Sequence, residues 1–238
     1  MILGLNFAKI RIWLPLLKII IMDFAELHLF LSELKSNNTK DWFDIHRKRY
    51  ESLRKSWIEF IDLLIVEIAK FDPDFGGLQA KDCIFRINKD IRFSKDKSPY
   101  KTNFGASINI GGKKEFVGGY YLHFAPDEIF CAGGIYMPSP EKLAAMRQEI
   151  DYNFDSFLSI VKDKEAVKRF KSLGGEKLSR PPKGYEADNP AIDFLKMKSF
   201  IWTENFSLKQ FESKSIIKDL SSSFLKMKPL NDFIRNCN

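Results

Sequence analysis

The sequence predicts an α+β fold, with an antiparallel sheet of about four or more strands in the middle of the chain packed by N- and C-terminal helices. Three observations carry this. From Met22 to about Lys70 apolar residues recur at helical spacing, between Cys83 and Tyr136 the period drops to two, and helical spacing returns after Ser139. No repeat, low-complexity tract or linker interrupts residues 22–238, which read as a single domain.

Phe24, Leu27, Leu31 and Leu34 form the apolar stripe of a first helix, which Ser36-Asn37-Asn38 ends. Thr39 caps a second helix, with Asp41 in its first turn where the helix dipole favours a carboxylate. Its expected core face runs Trp42, Ile45, Tyr50, Leu53, Trp57, Phe60, Leu64 and Ile68, and Asp72-Pro73 through Gly76-Gly77 stops it. A first strand is expected where Cys83, Phe85 and Ile87 alternate with Ile84, Arg86 and Asn88. A second covers Phe104 to Ile110. A Gly111-Gly112 turn then leads into Phe116–Phe124, and Ile129 to Tyr136 follows after Pro126-Asp127.

Ser139-Pro140-Glu141 opens a helix to about Asp151, and a further helical stretch covers Phe154 to Leu173. A short helix is expected over Ala191–Lys198 and a strand over Phe200–Phe206. Ser207 and Gln210 have capping-box spacing ahead of a C-terminal helix that Pro229 should kink or end.

Composition excludes several classes. A chain 45% hydrophobic and 29% charged is ordinary for a globular protein, and its 22 Phe predict a Phe-rich core. Cys83, Cys131 and Cys237 are far apart, with no CxxC pair, so neither a disulfide framework nor structural zinc is expected and a reducing cytoplasm fits best. His28, His46 and His123 are isolated and read as hydrogen-bonded packing residues. No metal or cofactor is expected, and no nucleotide-loop or hydrolase motif occurs.

Residues 1–21 are apolar but broken by Lys9, Arg11, Pro15 and Lys18, too short a run for a membrane span and wrongly ordered for a secretory signal. They are read as a spurious extension before a start at Met22, the other reading being a docking helix on a membrane surface.

Charge is localised. Between Arg86 and Lys101, six basic residues stand against two acidic ones, a net +4 of the chain's +7. Residues 1–21 add +3, and the remainder sums to zero. Arg offers a planar fork for carboxylate or phosphate, and Lys a point charge. Arg86, Arg92, Lys97 and Tyr100 are the expected ligand contacts, with Lys89 and Lys101 adding field. Asp90 and Asp96 orient the cations, and Phe93 and Tyr100 supply aromatic surface. The paired glycines Gly118-Gly119 and Gly133-Gly134 either admit a ligand onto the sheet or make room for Tyr120, Tyr121 and Tyr136.

The window resembles the signature of the bacterial domain-of-unknown-function family 2461: Arg86-x-x-Lys89-Asp90-x-Arg92-Phe93, then Asp96-Lys97-x-x-Tyr100. Lys89 departs from the family's Arg. Asn38-x-x-Asp41-Trp42-Phe43, Gly119-Tyr120-Tyr121, Gly133-Gly134-x-Tyr136, and Pro182-Lys183-Gly184-Tyr185 with Asn189-Pro190 also look like the family. The resemblance implies a cytoplasmic bacterial protein and supplies no activity or catalytic residues. The window itself leaves three functions open: binding of an anionic small molecule bearing phosphate or carboxylate, an ion-paired structural lock in an interaction domain, or single-stranded nucleic-acid binding.

Overall fold

A computed structural model describes residues 22–92, 94–110 and 117–237. The expectations placed on residues 1–21, Phe93, Gly111-Gly112 and Phe116 fall outside them.

Two helices open the fold. Helix α1, Phe24–Ser36, is capped by Asp23, whose carboxylate accepts from the Glu26 N–H. Helix α2, Lys40–Ala69, is capped by Thr39 as its sequence predicts. Phe43, Leu53, Trp57, Phe60, Ile61, Leu64, Ile65 and Ile68 are its buried residues. Ile45, expected on that face, is instead 80% exposed, because the buried stripe runs through Phe43, two residues earlier and so on nearly the opposite side of the helix. Arg49 of α2 bonds Glu26 and Glu33 of α1, fixing the two helices together.

The expected first strand does not form as a strand. Its start belongs to the short helix α3, Ala80–Cys83, held by the Asp62 carboxylate accepting from the Ala80 N–H at 2.8 Å. Beyond it the chain makes two isolated bridges, one from Ile84 to Ala106 of the first sheet strand and one from Asn88 to Tyr100 ahead of that strand. Burial explains the difference: Cys83, Ile84 and Ile87 are the buried residues here, and Phe85, which alternation would place inside, is exposed.

The sheet has four antiparallel strands in sequence order: β1 Phe104–Ile108, β2 Gly119–Phe124, β3 Ile129–Ile135 and β4 Phe200–Phe206. Its inner face carries Ala106, Leu122, Cys131, Ile135 and Trp202 into the core. The C-terminal helix, α9, Ile216–Asn236, packs along β3 on this face, where a Cβ on Gly133 would lie 2.7 Å from Met227 Cβ. Gly134 has φ +125°, and a Cβ there would meet the Phe200 carbonyl at 2.0 Å, so only glycine fits.

Between β3 and β4 lie α4, Pro140–Tyr152, α5, Phe154–Val161, α6, Lys164–Phe170, and α7, Ile192–Leu195. The expected stretch over 154–173 is thus two helices, broken because Asp163 caps the second by accepting from the Ala166 N–H. The capping box at Ser207 serves α8, Leu208–Phe211, and not α9 directly. Pro229 lies inside α9 without ending it, and the residue whose carbonyl loses its helical partner, Leu225, is on the exposed face.

Where α2 ends, Asp72 is buried and accepts from Tyr120 Oη at 2.9 Å and Arg235 Nη2 at 2.9 Å, joining α2, β2 and α9. Each histidine is hydrogen-bonded: His28 to the Pro126 carbonyl, His46 to the Trp42 carbonyl and His123 to Tyr121. The three cysteines are buried and unbridged.

Candidate functional site: a basic cleft at the sheet edge

Helix α2 presents Phe43, Arg47, Tyr50 and Arg54 at spacings of four, three and four, a single stripe along one face. Lys81 comes from α3, and Arg86, Asn88 and Tyr100 from the bridged segments beside β1. Together with Ile84, Phe85 and Ile87 they line a cleft of about 250 Å³. Four cationic side chains from three segments therefore share one small concavity. Among the described residues that line it there is no carboxylate.

The walls are fixed by packing and by one side-chain clamp. Tyr100 stacks on Phe43 at a centroid distance of 4.0 Å and an interplanar angle of 19°. Asn38, between α1 and α2, donates through Nδ2 to the Tyr100 carbonyl at 2.9 Å and accepts at Oδ1 from the Tyr100 N–H at 3.1 Å. The Lys89 N–H donates to the Pro99 carbonyl at 2.9 Å and the Lys101 N–H to the Ile87 carbonyl at 2.8 Å, closing the base of the Arg86–Lys101 loop. Arg47 is held by Asp44 and lies 5.3 Å from the Phe43 ring centroid.

Burial pushes the phenols of Tyr50 and Tyr100 above their ordinary range, with Arg54 and Arg47 pulling against it. Both stay protonated near neutrality and can donate to an anion. Behind Tyr50 and Arg54, Trp57 lines a small adjoining recess. Its indole N–H is buried and has no protein partner among the described residues.

The window read from the sequence divides in two. Arg86 and Tyr100 line the cleft. Lys89, Asp90, Arg92, Asp96, Lys97 and Lys101 do not. Arg92 forms a two-pronged pair with Asp90, Nε to Oδ1 at 3.0 Å and Nη2 to Oδ2 at 2.7 Å. Lys89 Nζ donates to Asp96 Oδ2 at 2.5 Å, and Asp96 also accepts from the Ser98 N–H and hydroxyl. These contacts hold the Asp96 carboxyl at about 2, with the Lys89 bond the largest cause. The Asp90 carboxyl is likewise lowered, chiefly by its bond to Arg92. Lys97 Nζ donates to the Ile91 carbonyl at 2.9 Å, and Lys101 Nζ sits 5.3 Å from the Phe85 ring centroid. The loop tip is a set of paired charges, and the cleft below draws its charge mainly from helices.

Sequence reading did not reach Arg47, Arg54 and Lys81. The signal for Arg47 and Arg54 was present as the helical stripe of α2, but in a linear count Arg47 is offset by Asp44 and Arg54 by Glu51, as Lys81 of α3 is by Asp82. No group of three or more His, Cys, Asp or Glu side chains suited to a metal occurs among the described residues, and no helix there is long and apolar enough to cross a membrane.

Fold and site together define an α+β protein with a four-stranded antiparallel sheet and a basic, aromatic-walled cleft at the edge of its first strand. The chain matches the DUF2461 family of conserved hypothetical proteins over residues 26–233 and belongs to that family. No curated protein and no solved structure matches it.

Proposed function

We propose that this protein binds a small organic anion, bearing phosphate or carboxylate, in the cleft formed by Arg47, Arg54, Lys81 and Arg86. One observation carries this reading: four cations converge on one concavity to which no described residue contributes a carboxylate. Like charges held together in a cleft raise the local potential and attract a counter-anion. Tyr50, Tyr100 and Asn88 supply neutral donors for its oxygens. A single-stranded nucleic acid calls for cations strung along a backbone track, so the clustering favours a small ligand. The buried, unbridged cysteines support a reducing, cytoplasmic setting.

The paired charges between Lys89 and Ser98 favour a second role within the same window, a lock that shapes the loop over the cleft. The two roles fall to different residues.

Titration with pyrophosphate and with citrate, followed by calorimetry, tests the site. Saturable binding is expected, weakened about tenfold or more in Arg54→Met and in Arg86→Met, because each removes a charged hydrogen bond of roughly 1.5–3 kcal/mol. Lys95→Met removes the same charge from an exposed position of the window that does not line the cleft, and should change little. Equal losses in all three variants, or no saturable binding, refute the cleft.

A further inference from the structure

The basic cleft does not stand alone. Phe85, 38% exposed, lines it and also lines a larger cavity of about 580 Å³ over the outer face of the sheet. The Phe85 ring lies over β1, where a Cβ on Gly105 would be 3.3 Å from its Cδ2, and packs edge-on against Tyr121 at 6.4 Å. It thus straddles the sheet edge, with cations on one side and an apolar trough on the other.

The floor of that trough is made of small residues. Ser107, Ala132 and Thr203 are aligned across neighbouring strands through Tyr121, and Gly119 and Gly134 are paired in the next row. Alternation sends their neighbours, such as Tyr120, Gly133 and Trp202, to the inner face that α9 covers. Tyr121, Phe130 and Tyr136 rise as walls, Tyr136 being 67% exposed. Large aromatics around a glycine-and-alanine floor make a slot for a flat or extended apolar group.

We infer that the ligand of the basic cleft is amphipathic: its anionic head lies among Arg47, Arg54, Lys81 and Arg86, and its hydrocarbon or aromatic body passes Phe85 onto the outer face of the sheet. The inference rests on the anion-binding reading above and adds the substrate class. Continuity through Phe85 argues for one ligand. So does the chemistry of the two compartments, cationic in the cleft and mainly apolar and aromatic in the trough.

Calorimetry with methyl, hexyl and decyl phosphate, each kept below its micelle concentration, tests this directly. Hexyl phosphate is expected to bind at least tenfold more tightly than methyl phosphate. Full burial of each added methylene is worth about fourfold, so this margin holds even if much of the chain stays wet. Thr203→Trp, at an exposed floor position, fills the trough without touching the core and should abolish the chain-length gain while methyl phosphate binds as before. Ala132→Leu provides an independent block. If methyl phosphate fails to bind at all, the cleft reading falls and this inference with it. If all three phosphates bind equally, and Arg86→Met weakens each, the cleft stands and the amphipathic ligand is refuted. A chain-length gain that survives both blocking substitutions also refutes it.

Discussion

Asn38 holds the cleft's aromatic wall from outside the loop, and replacing it tests how the site is built. Its amide bonds both backbone polar groups of Tyr100, at 2.9 and 3.1 Å. Asn38→Ala removes both bonds at once. A net hydrogen bond is worth about 0.5–1.5 kcal/mol, and a buried polar group left without a partner costs about 1–3 kcal/mol. Tyr100 is 7% exposed, whereas Asn38 is half-buried, so water can reach part of the gap. The expected loss is therefore about 2 kcal/mol, which for a chain of this length lowers the melting temperature by roughly 4–8 °C. Asn37→Ala, in the same turn, removes only an exposed bond to the Glu33 carbonyl and should cost less than about 0.5 kcal/mol. Urea denaturation of the two variants gives the comparison. Anion titration adds a second readout, since a displaced Tyr100 should weaken binding severalfold in Asn38→Ala and leave it unchanged in Asn37→Ala. If the two variants lie within 0.5 kcal/mol of each other, the clamp does not hold the wall and this account of the site is wrong.

Two further outcomes follow from the buried polar groups. Asp72→Ala removes the buried partner of Arg235, which keeps its pair with the half-exposed Asp232, and also removes the Tyr120 hydrogen bond, so the fold should lose about 2–4 kcal/mol in urea denaturation. Combined with Arg235→Met, the double variant should cost clearly less than the two single losses together, and strict additivity would refute the coupling. Burial also holds the His123 imidazole below its ordinary pKa, against the pull of Glu128. The unfolded chain then takes up the proton more readily. The contribution is complete above about pH 6.5 and is lost as pH falls through the lowered folded value. His123→Asn should flatten the decline of stability just below pH 6.5, and an unchanged slope would refute the assignment.

What the sequence made legible follows from how burial was distributed. The sheet could be read because its strands have one covered face, so that Ala106, Leu122 and Cys131 alternate with Ser107, Tyr121 and His123. The segment Cys83–Asn88 misled because it lies at the sheet edge, where two isolated bridges impose no period and the exposed Phe85 imitates an inward residue. Arg86 and Tyr100 were legible as candidate site residues because the loop is dense in one sign of charge. Arg47 and Arg54 were not, because a count along the chain cancels them against Asp44 and Glu51, whereas the cleft gathers the cations and leaves those carboxylates out of its lining. Asp44 bonds Arg47 from one turn away and does not line the cleft, and Glu51 does not line it either.

That separation changes what the family signature means in this chain. Its two acids are matched within the loop, Asp90 to Arg92 and Asp96 to Lys89, so the net +4 rests on Arg86, Lys95, Lys97 and Lys101, of which Arg86 lines the cleft. Of the charged and aromatic residues described in the window, Arg86 and Tyr100 line the cleft, and the backbone bonds from Lys89 to Pro99 and from Lys101 to Ile87 close the loop at its base. Lys89 illustrates the division. Its ammonium makes one short contact to Asp96 and a longer one, at 3.5 Å, to Ser98 Oγ. A point charge serves such a contact, and the planar fork of Arg is not needed. Arg92 does use its fork, with two prongs on Asp90, so Lys there would lose a bond that Lys89 never makes. Position 89 is therefore a place where the loop needs charge without geometry, and the cleft keeps its own cations regardless.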